Sequence, residues 1–147
     1  MIIIGILGDI GSGKSYVAKQ FGYPVFNADD EVTKIYKNSK PCFTKLKGLL
    51  PKYIKSFQIN KIELTNAVLR NKKNIKKNRK KKHPKIRKKM NLFLSKNKNK
   101  KVVVLDIPLL LENKIKKKKM TLVFIESKRS DILKKLNKRK SFNLKIL

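Results

Sequence analysis

Residues 1–15 read MIIIGILGDIGSGKS, an apolar run followed directly by a glycine-rich turn that ends in Lys and Ser. The run up to Leu7 is short and rich in β-branched residues, which is typical of a buried parallel strand. Residues 8–15 have the spacing G-x-x-x-x-G-K-S, in which glycines let the backbone approach a phosphate closely. The stretch therefore predicts a strand, a phosphate-binding loop and a helix, in that order.

The residue types of this loop suit phosphate binding. Its backbone N–H groups form a nest for anionic oxygens, and the following helix adds the positive end of its dipole. We expect Lys14 to reach the β- and γ-phosphates and the Ser15 hydroxyl to coordinate Mg²⁺. The alternative is a glycine-rich turn that binds no ligand. The residues predicted to bind ATP are Gly8, Gly11, Ser12, Gly13, Lys14, Ser15 and Tyr16.

The chain is strongly basic, with a formal net charge of +31, and Lys and Arg dominate the stretch from Lys72 to Lys89. Basic blocks often indicate nucleic-acid binding. Aromatic residues, which base stacking requires, do not interleave this block. We therefore favour a solvated basic face that attracts phosphorylated ligands, and we expect no specific nucleic-acid partner.

Length and cysteine usage indicate a small protein of a reducing compartment. The 147 residues predict one domain, and the single cysteine, Cys42, cannot form an intramolecular disulfide. The longest apolar stretches, residues 1–7 and 102–111, are too short to span a bilayer. We expect a cytoplasmic monomer without a membrane partner.

Strand and helix patterns alternate along the chain. Apolar runs predict strands at 2–7, 24–26, 102–107 and 121–125. Helical spacing predicts helices at 14–21, 29–37, 42–50, 61–70, after Pro84 and at 129–139. This order predicts an α/β fold, a parallel β-sheet flanked by helices on both faces. Because ligands of such sheets bind beyond the carboxyl ends of the strands, we expect one cleft formed by the loop and the segments after Phe26 and Leu105.

Five segments of the chain together resemble the dephospho-coenzyme A kinase family. They are Gly8–Ser15, Tyr23–Asp29, His83–Arg87, Asp106–Asn113 and Thr121–Arg139. The resemblance implies a P-loop NTPase fold of the nucleoside-monophosphate-kinase kind, formed by one domain over 1–147 with a helical acceptor-binding region near 28–97. It also implies ATP and Mg²⁺ as cofactors and dephospho-CoA as substrate, whose ribose 3′-hydroxyl is phosphorylated to give coenzyme A.

The resemblance also implies roles for individual residues. Asp29 would be the catalytic carboxylate, with Lys14 and Arg139 as catalytic cations, and Asp106 would hold Mg²⁺ together with Ser15. The residues implied to bind the acceptor are Asp29, His83, Arg87, Pro108, Leu109 and Glu112. Structural alternatives stay open, because Asp29 suits a helix cap, Asp106 a strand end, His83 a helix start and Arg139 a helix C-terminus.

The chain departs from the family pattern at several positions. Asp9 stands where the family usually has Gly, Tyr16 where it has Ser or Thr, and Asn27 where it has Asp. Members are usually longer, so a lid and a last strand are expected to be missing after Leu147. Two other functions remain open, another small-molecule or nucleoside-monophosphate kinase, and a basic nucleic-acid-binding protein with a vestigial nucleotide site.

Overall fold

The computed structural model describes residues 1–59, 63–64, 85–107 and 120–137. The chain divides into two compact units. The first comprises Met1–Asp29 and the described residues from Arg87 onward, and the second lies within Asp30–Ile86. The predicted helix at 61–70, apart from the helical residues 63–64, lies outside the described residues. The assignment of 1–147 to a single domain stays a prediction.

Four strands form the sheet of the first unit: β1 (Ile2–Gly8), β2 (Val25–Asn27), β3 (Val102–Asp106) and β4 (Thr121–Ile125). Their order across the sheet is β2-β3-β1-β4, and every pairing is parallel. The parallel sheet predicted from the alternation of strands and helices is therefore confirmed.

The strand register brings the carboxyl ends of β1, β2 and β3 to one edge of the sheet. Asn27 of β2 pairs with Asp106 of β3, and Ile6 of β1 pairs with the same aspartate. The glycine-rich loop begins at Gly8, just beyond that point. The loop and the ends of β2 and β3 therefore border one place, as the sequence predicts.

The described helices are α1 (Lys14–Gln20), α2 (Ala28–Asn38), α3 (Lys40–Leu49), α4 (residues 85–96) and α5 (Arg129–Asn137). The predicted helix at 42–50 begins earlier, at Lys40. The reason is a cap, because the Ser39 hydroxyl accepts a hydrogen bond from the Cys42 N–H at 3.3 Å, and Pro41 suits the first turn.

Burial in the first unit is concentrated on the two central strands. Ile6 of β1 and Val104 of β3 form a core cluster with Ala18 of α1. The edge strand β4 differs, because Leu122 and Phe124 are 48% and 61% exposed. The expectation of strands covered on both faces is therefore met by β3, where Val103, Val104 and Leu105 are fully buried, and is wrong for β4.

Helix α4 has the apolar spacing that the sequence predicts. Ile86, Met90 and Leu94 are buried, and they recur at the interval of one helical face. Phe93 stacks in a tilted arrangement on Phe26 of β2, with ring centroids 5.6 Å apart. This aromatic pair anchors α4 beside β2 within the first unit.

The second unit has its own apolar core. Leu46, Leu50, Ile54 and Ile59 are buried together, with Cys42 among the partly buried side chains around them. Burial raises the pKa of the Cys42 thiol, and nearby Lys85 lowers it to a smaller extent.

None of the helices among the described residues has the length and apolar character that a membrane span requires.

Candidate active site

The glycine-rich loop is shaped by close contacts at two of its glycines. Gly8 has φ +145°, and a Cβ there would lie 2.5 Å from the backbone oxygen of Ile125. Gly11 has φ +87°, and a Cβ there would lie 3.1 Å from side-chain carbons of Ile132 and Leu136. The positive φ therefore favours glycine at both positions, and at Gly8 the Ile125 backbone also leaves no space for a side chain. The loop is consequently seated against the end of β4 and the inner face of α5.

Lys14 brings a positive charge to this loop. Its ammonium group donates hydrogen bonds to the backbone carbonyls of Gly8, at 2.8 Å, and of Asp9, at 2.7 Å. Helix α1 begins after Gly13 without a side-chain cap. Its first N–H groups therefore receive no capping side chain, and together with the ammonium they can attract an anion.

Three polar side chains meet beside the loop, and we call Ser15, Asn27 and Asp106 the hydroxyl–amide–carboxylate cluster. The Ser15 hydroxyl donates to Asp106 Oδ2 at 2.6 Å. The Asn27 amide donates to the same oxygen at 2.7 Å and to Ser15 Oγ at 3.1 Å. Asp106 is only 6% exposed, so these two side-chain donors contact its carboxylate where bulk water has little access.

The segment after β4 supports the loop from the other side. The Ser127 hydroxyl donates to the backbone carbonyl of Ser12 at 2.8 Å. The Ser12 hydroxyl is buried and has no hydrogen-bond partner among the described residues. Lys135 of α5 brings its ammonium to 3.8 Å from the position of a Cβ on Gly13. A second cation therefore lies near the loop.

The donor set of the cluster fits Mg²⁺. Hard cations of this kind take oxygen ligands, and in phosphate sites Mg²⁺ uses one or two carboxylates together with the substrate's phosphates. Ser15 and Asp106 offer a hydroxyl and a carboxylate oxygen in contact with each other. Among the described residues, no group of three or more His, Cys, Asp or Glu side chains forms a separate metal cluster.

The remaining predicted site residues divide into two groups. Asp29 lies in the first turn of α2 and is exposed, Tyr16 is 70% exposed on α1, and Arg87 is exposed near the start of α4. Their roles stay predictions. The others fall outside the described residues; they are His83, Pro108, Leu109, Glu112 and Arg139.

A comparison with protein families identifies the family of this chain. The family model described as dephospho-CoA kinase matches residues 2–145. The chain belongs to the dephospho-CoA kinase family. The fold and function expected from the sequence resemblance are those of this family, an ATP-dependent kinase family of coenzyme A biosynthesis.

Individual dephospho-CoA kinases match most of the chain. One from Bartonella quintana is 33% identical over 132 residues, which is 86% of this chain and 67% of that protein. One from the Wolbachia of Brugia malayi is 35% identical over 118 residues, which is 77% of this chain and 60% of that protein. The matched part of the chain thus spans 60% to 67% of the length of these relatives.

Solved structures agree with the fold of the dephospho-CoA kinase family. TT1252 from Thermus thermophilus superposes with a TM-score of 0.72 at 28% identity, over 97% of this chain and 74% of that one. A dephospho-CoA kinase from Campylobacter jejuni superposes with a TM-score of 0.57 at 18% identity, over 90% of this chain and 92% of that one. The second likeness bears on the fold alone.

Two residues of the site were missed as site residues by sequence reasoning. In sequence, Asn27 stands out as a departure from the Asp usual in dephospho-CoA kinases, yet in the structure it contacts both Ser15 and Asp106. Ser127 carried no motif, although a small polar residue just after a strand end is a signal for contact with a neighbouring loop. Both contacts depend on which strands are neighbours.

Proposed function

We propose that this chain transfers the γ-phosphoryl group of ATP to the ribose 3′-hydroxyl of dephospho-CoA. The observation that carries the proposal is the hydroxyl–amide–carboxylate cluster beside a glycine loop that holds a lysine ammonium. This arrangement places a cation, backbone N–H groups and oxygen donors at one edge of the sheet, which is what a triphosphate with a divalent cation requires.

ATP binding is supported by the charges and donors around the loop. Lys14 already spans two loop carbonyls, so its ammonium is held where phosphate oxygens would enter the loop. Lys135 lies within reach of the same loop, and its charge would further offset the charge of the triphosphate. The adenosine triphosphate would therefore bind with its β- and γ-phosphates against Lys14.

Ser15 and Asp106 are the residues that would hold Mg²⁺. When bound, Mg²⁺ neutralises phosphate charge and holds the phosphate oxygens in a fixed geometry. The chain's own contribution is to fix the orientation of its oxygen donors. The contact between the Ser15 hydroxyl and Asp106 does this before any ligand arrives, since both side chains are already hydrogen bonded.

Asp29 is the carboxylate we propose for the acceptor hydroxyl. It lies two residues after Asn27, in the first turn of α2, and is open to solvent. In the reaction the 3′-oxygen forms a bond to the γ-phosphorus as the bond from that phosphorus to the β–γ bridging oxygen breaks. The hydroxyl proton passes to the Asp29 carboxylate and ADP leaves, so atoms and charge balance.

The proposal is tested by phosphate transfer from ATP to purified dephospho-CoA with Mg²⁺ present, measured as ADP and coenzyme A formed. We expect turnover by the unsubstituted chain and a loss of about 100-fold or more in Lys14→Ala, because the variant lacks the cation at the phosphates. Lys19→Ala, an exposed lysine of the same helix, should retain full activity.

Each outcome has a definite meaning. Folded protein that binds Mg·ATP but transfers nothing to dephospho-CoA would overturn the acceptor assignment. Folded protein that shows no heat of binding with Mg·ATP would overturn the proposal as a whole. The cytoplasmic location, the monomeric state and the absence of a specific nucleic-acid partner stay predictions alongside it.

A further inference from the structure

We propose that Asn27 is a positioning residue, whose side-chain amide holds Asp106 and Ser15 in the orientation that receives a divalent cation. The inference rests on the proposed function and adds a residue to it. It concerns how the metal-binding oxygens are oriented, and it assigns Asn27 no contact with the reacting atoms.

The geometry that carries the inference is a closed triangle of hydrogen bonds. Asn27 Nδ2 lies 2.7 Å from Asp106 Oδ2 and 3.1 Å from Ser15 Oγ, and Ser15 Oγ lies 2.6 Å from Asp106 Oδ2. A side-chain amide has two N–H groups, so it can donate to both oxygens at once. Each of the three side chains is therefore tied to the other two.

The strand register explains why Asn27 can do this. β2 and β3 are parallel neighbours, and Asn27 and Asp106 are paired in that register at the last position of both strands. Paired residues of neighbouring strands direct their side chains to the same face of the sheet. A residue at position 27 is thus held beside Asp106 by backbone pairing, and α2 begins immediately after it.

The amide suits this position for a physical reason. The hydrogen bonds that Asn27 and Ser15 donate to Asp106 Oδ2 restrict the rotation of that carboxylate. A carboxylate at position 27 has no proton to donate when ionised, and it would set a second negative charge against Asp106. Asparagine therefore orients the carboxylate without adding charge, and in this chain the cluster contains a single carboxylate.

The experiment measures ATP affinity by calorimetry, once with Mg²⁺ and once with EDTA, for the unsubstituted chain and for Asn27→Ala. The quantity of interest is the gain in affinity that Mg²⁺ brings. We expect this gain to fall about tenfold in Asn27→Ala, because one donor to a buried carboxylate is lost. Affinity for metal-free ATP should stay unchanged. Asn91→Ala, at an exposed position of α4, is the matched control and should keep the full gain.

Two outcomes would overturn the inference. One is an unchanged gain from Mg²⁺ in Asn27→Ala. The other is an equal loss of affinity with and without Mg²⁺, which would mean that Asn27 supports the loop or the fold instead of the metal-binding oxygens. If the unsubstituted chain binds no Mg·ATP at all, it is the proposed function that fails, so the two failures are distinguishable.

A second variant keeps the test decisive if Asn27→Ala does not fold. Asn27→Asp has the same shape but replaces the donor by a negative charge. We expect the melting temperature of Asn27→Asp in EDTA to lie below that of the unsubstituted chain. Mg²⁺ alone, without nucleotide, should raise the melting temperature of Asn27→Asp more than it raises that of the unsubstituted chain. Equal melting temperatures of the two proteins in EDTA would contradict the inference.

Discussion

At the scale of single residues, the Gly8 backbone lies so close to the end of β4 that no side chain fits. Its φ is +145°, and an added Cβ would meet the Ile125 oxygen at 2.5 Å and Ser12 Oγ at 2.8 Å. The conflict is with backbone, which cannot swing away as a flexible side chain can. The shape of the glycine-rich loop therefore depends on this residue.

We predict that Gly8→Ala lowers the free energy of unfolding by about 2–3 kcal/mol, from unfavourable backbone angles and the clash together. Urea unfolding followed by circular dichroism measures it. Gly48→Ala in α3 is the matched control, because nothing lies within 4 Å of its added Cβ. It should raise stability by about 0.5–1 kcal/mol, as alanine does in a helix. Equal effects of the two substitutions would contradict the prediction.

Asp106 shows that the neighbours of a charged residue cannot be predicted from its position in the sequence alone. In sequence, Asp106 suits either a carboxylate that holds Mg²⁺ or an ordinary aspartate at a strand end. In the structure its Oδ2 accepts from two side chains that are distant in sequence. A chemical role for Asp106 is thus a property of the cluster, because the neighbouring donors orient its carboxylate.

At the scale of elements, the segment after β4 and helix α5 together hold the glycine-rich loop. Ser127 bonds to the loop carbonyl of Ser12, while Ile132 and Leu136 lie against Gly11. One polar and two apolar contacts therefore act on the same few residues of loop backbone. This explains how a loop with several flexible glycines can keep one conformation.

We predict that Ser127→Ala lowers the free energy of unfolding by about 1 kcal/mol, the typical value of one hydrogen bond. It should also raise the dissociation constant of Mg·ATP several-fold, since the loop loses a support. Urea unfolding and calorimetry measure the two effects. Ser95→Ala, at an exposed position of α4, is the control and should change neither. A loss of stability with unchanged ATP affinity would show that the bond supports the fold only.

At the scale of the whole molecule, the balance of charge opposes compactness. The chain has 40 Lys and Arg against 9 Asp and Glu, for a formal net charge of +31. Like charges repel most when the chain is folded and they lie closest together. Added salt screens that repulsion, since the Debye length falls from about 30 Å at 0.01 M to about 8 Å at 0.15 M ionic strength.

We therefore predict that the melting temperature rises between 0.01 M and 0.15 M sodium chloride. A gain of about 1 kcal/mol corresponds to a rise of about 4 °C for a domain of this size. Differential scanning calorimetry measures it. An unchanged or lower melting temperature in the higher salt would show that the positive charges are already compensated in the folded chain.

The amino-acid sequence by itself determined the local features. Spacing of apolar residues predicted every described strand and helix, with ends that shifted by a residue or two at caps such as Ser39. The G-x-x-x-x-G-K-S spacing predicted the loop and its lysine. These features depend on residues a few positions apart, so local conformational preferences are enough to set them.

Tertiary structure decided which side chains touch, although the family resemblance already implies that Ser15 and Asp106 lie together. Asn27 contacts Asp106 across 79 residues, Ser15 contacts Asp106 across 91, and Ser127 contacts Ser12 across 115. Local conformational preferences act over a few residues and cannot bring together side chains so far apart in the chain. These contacts exist because β3 inserts between β1 and β2 and β4 pairs with the other side of β1. The strand order and register, fixed by burial of the central strands, brought the cluster and its loop together.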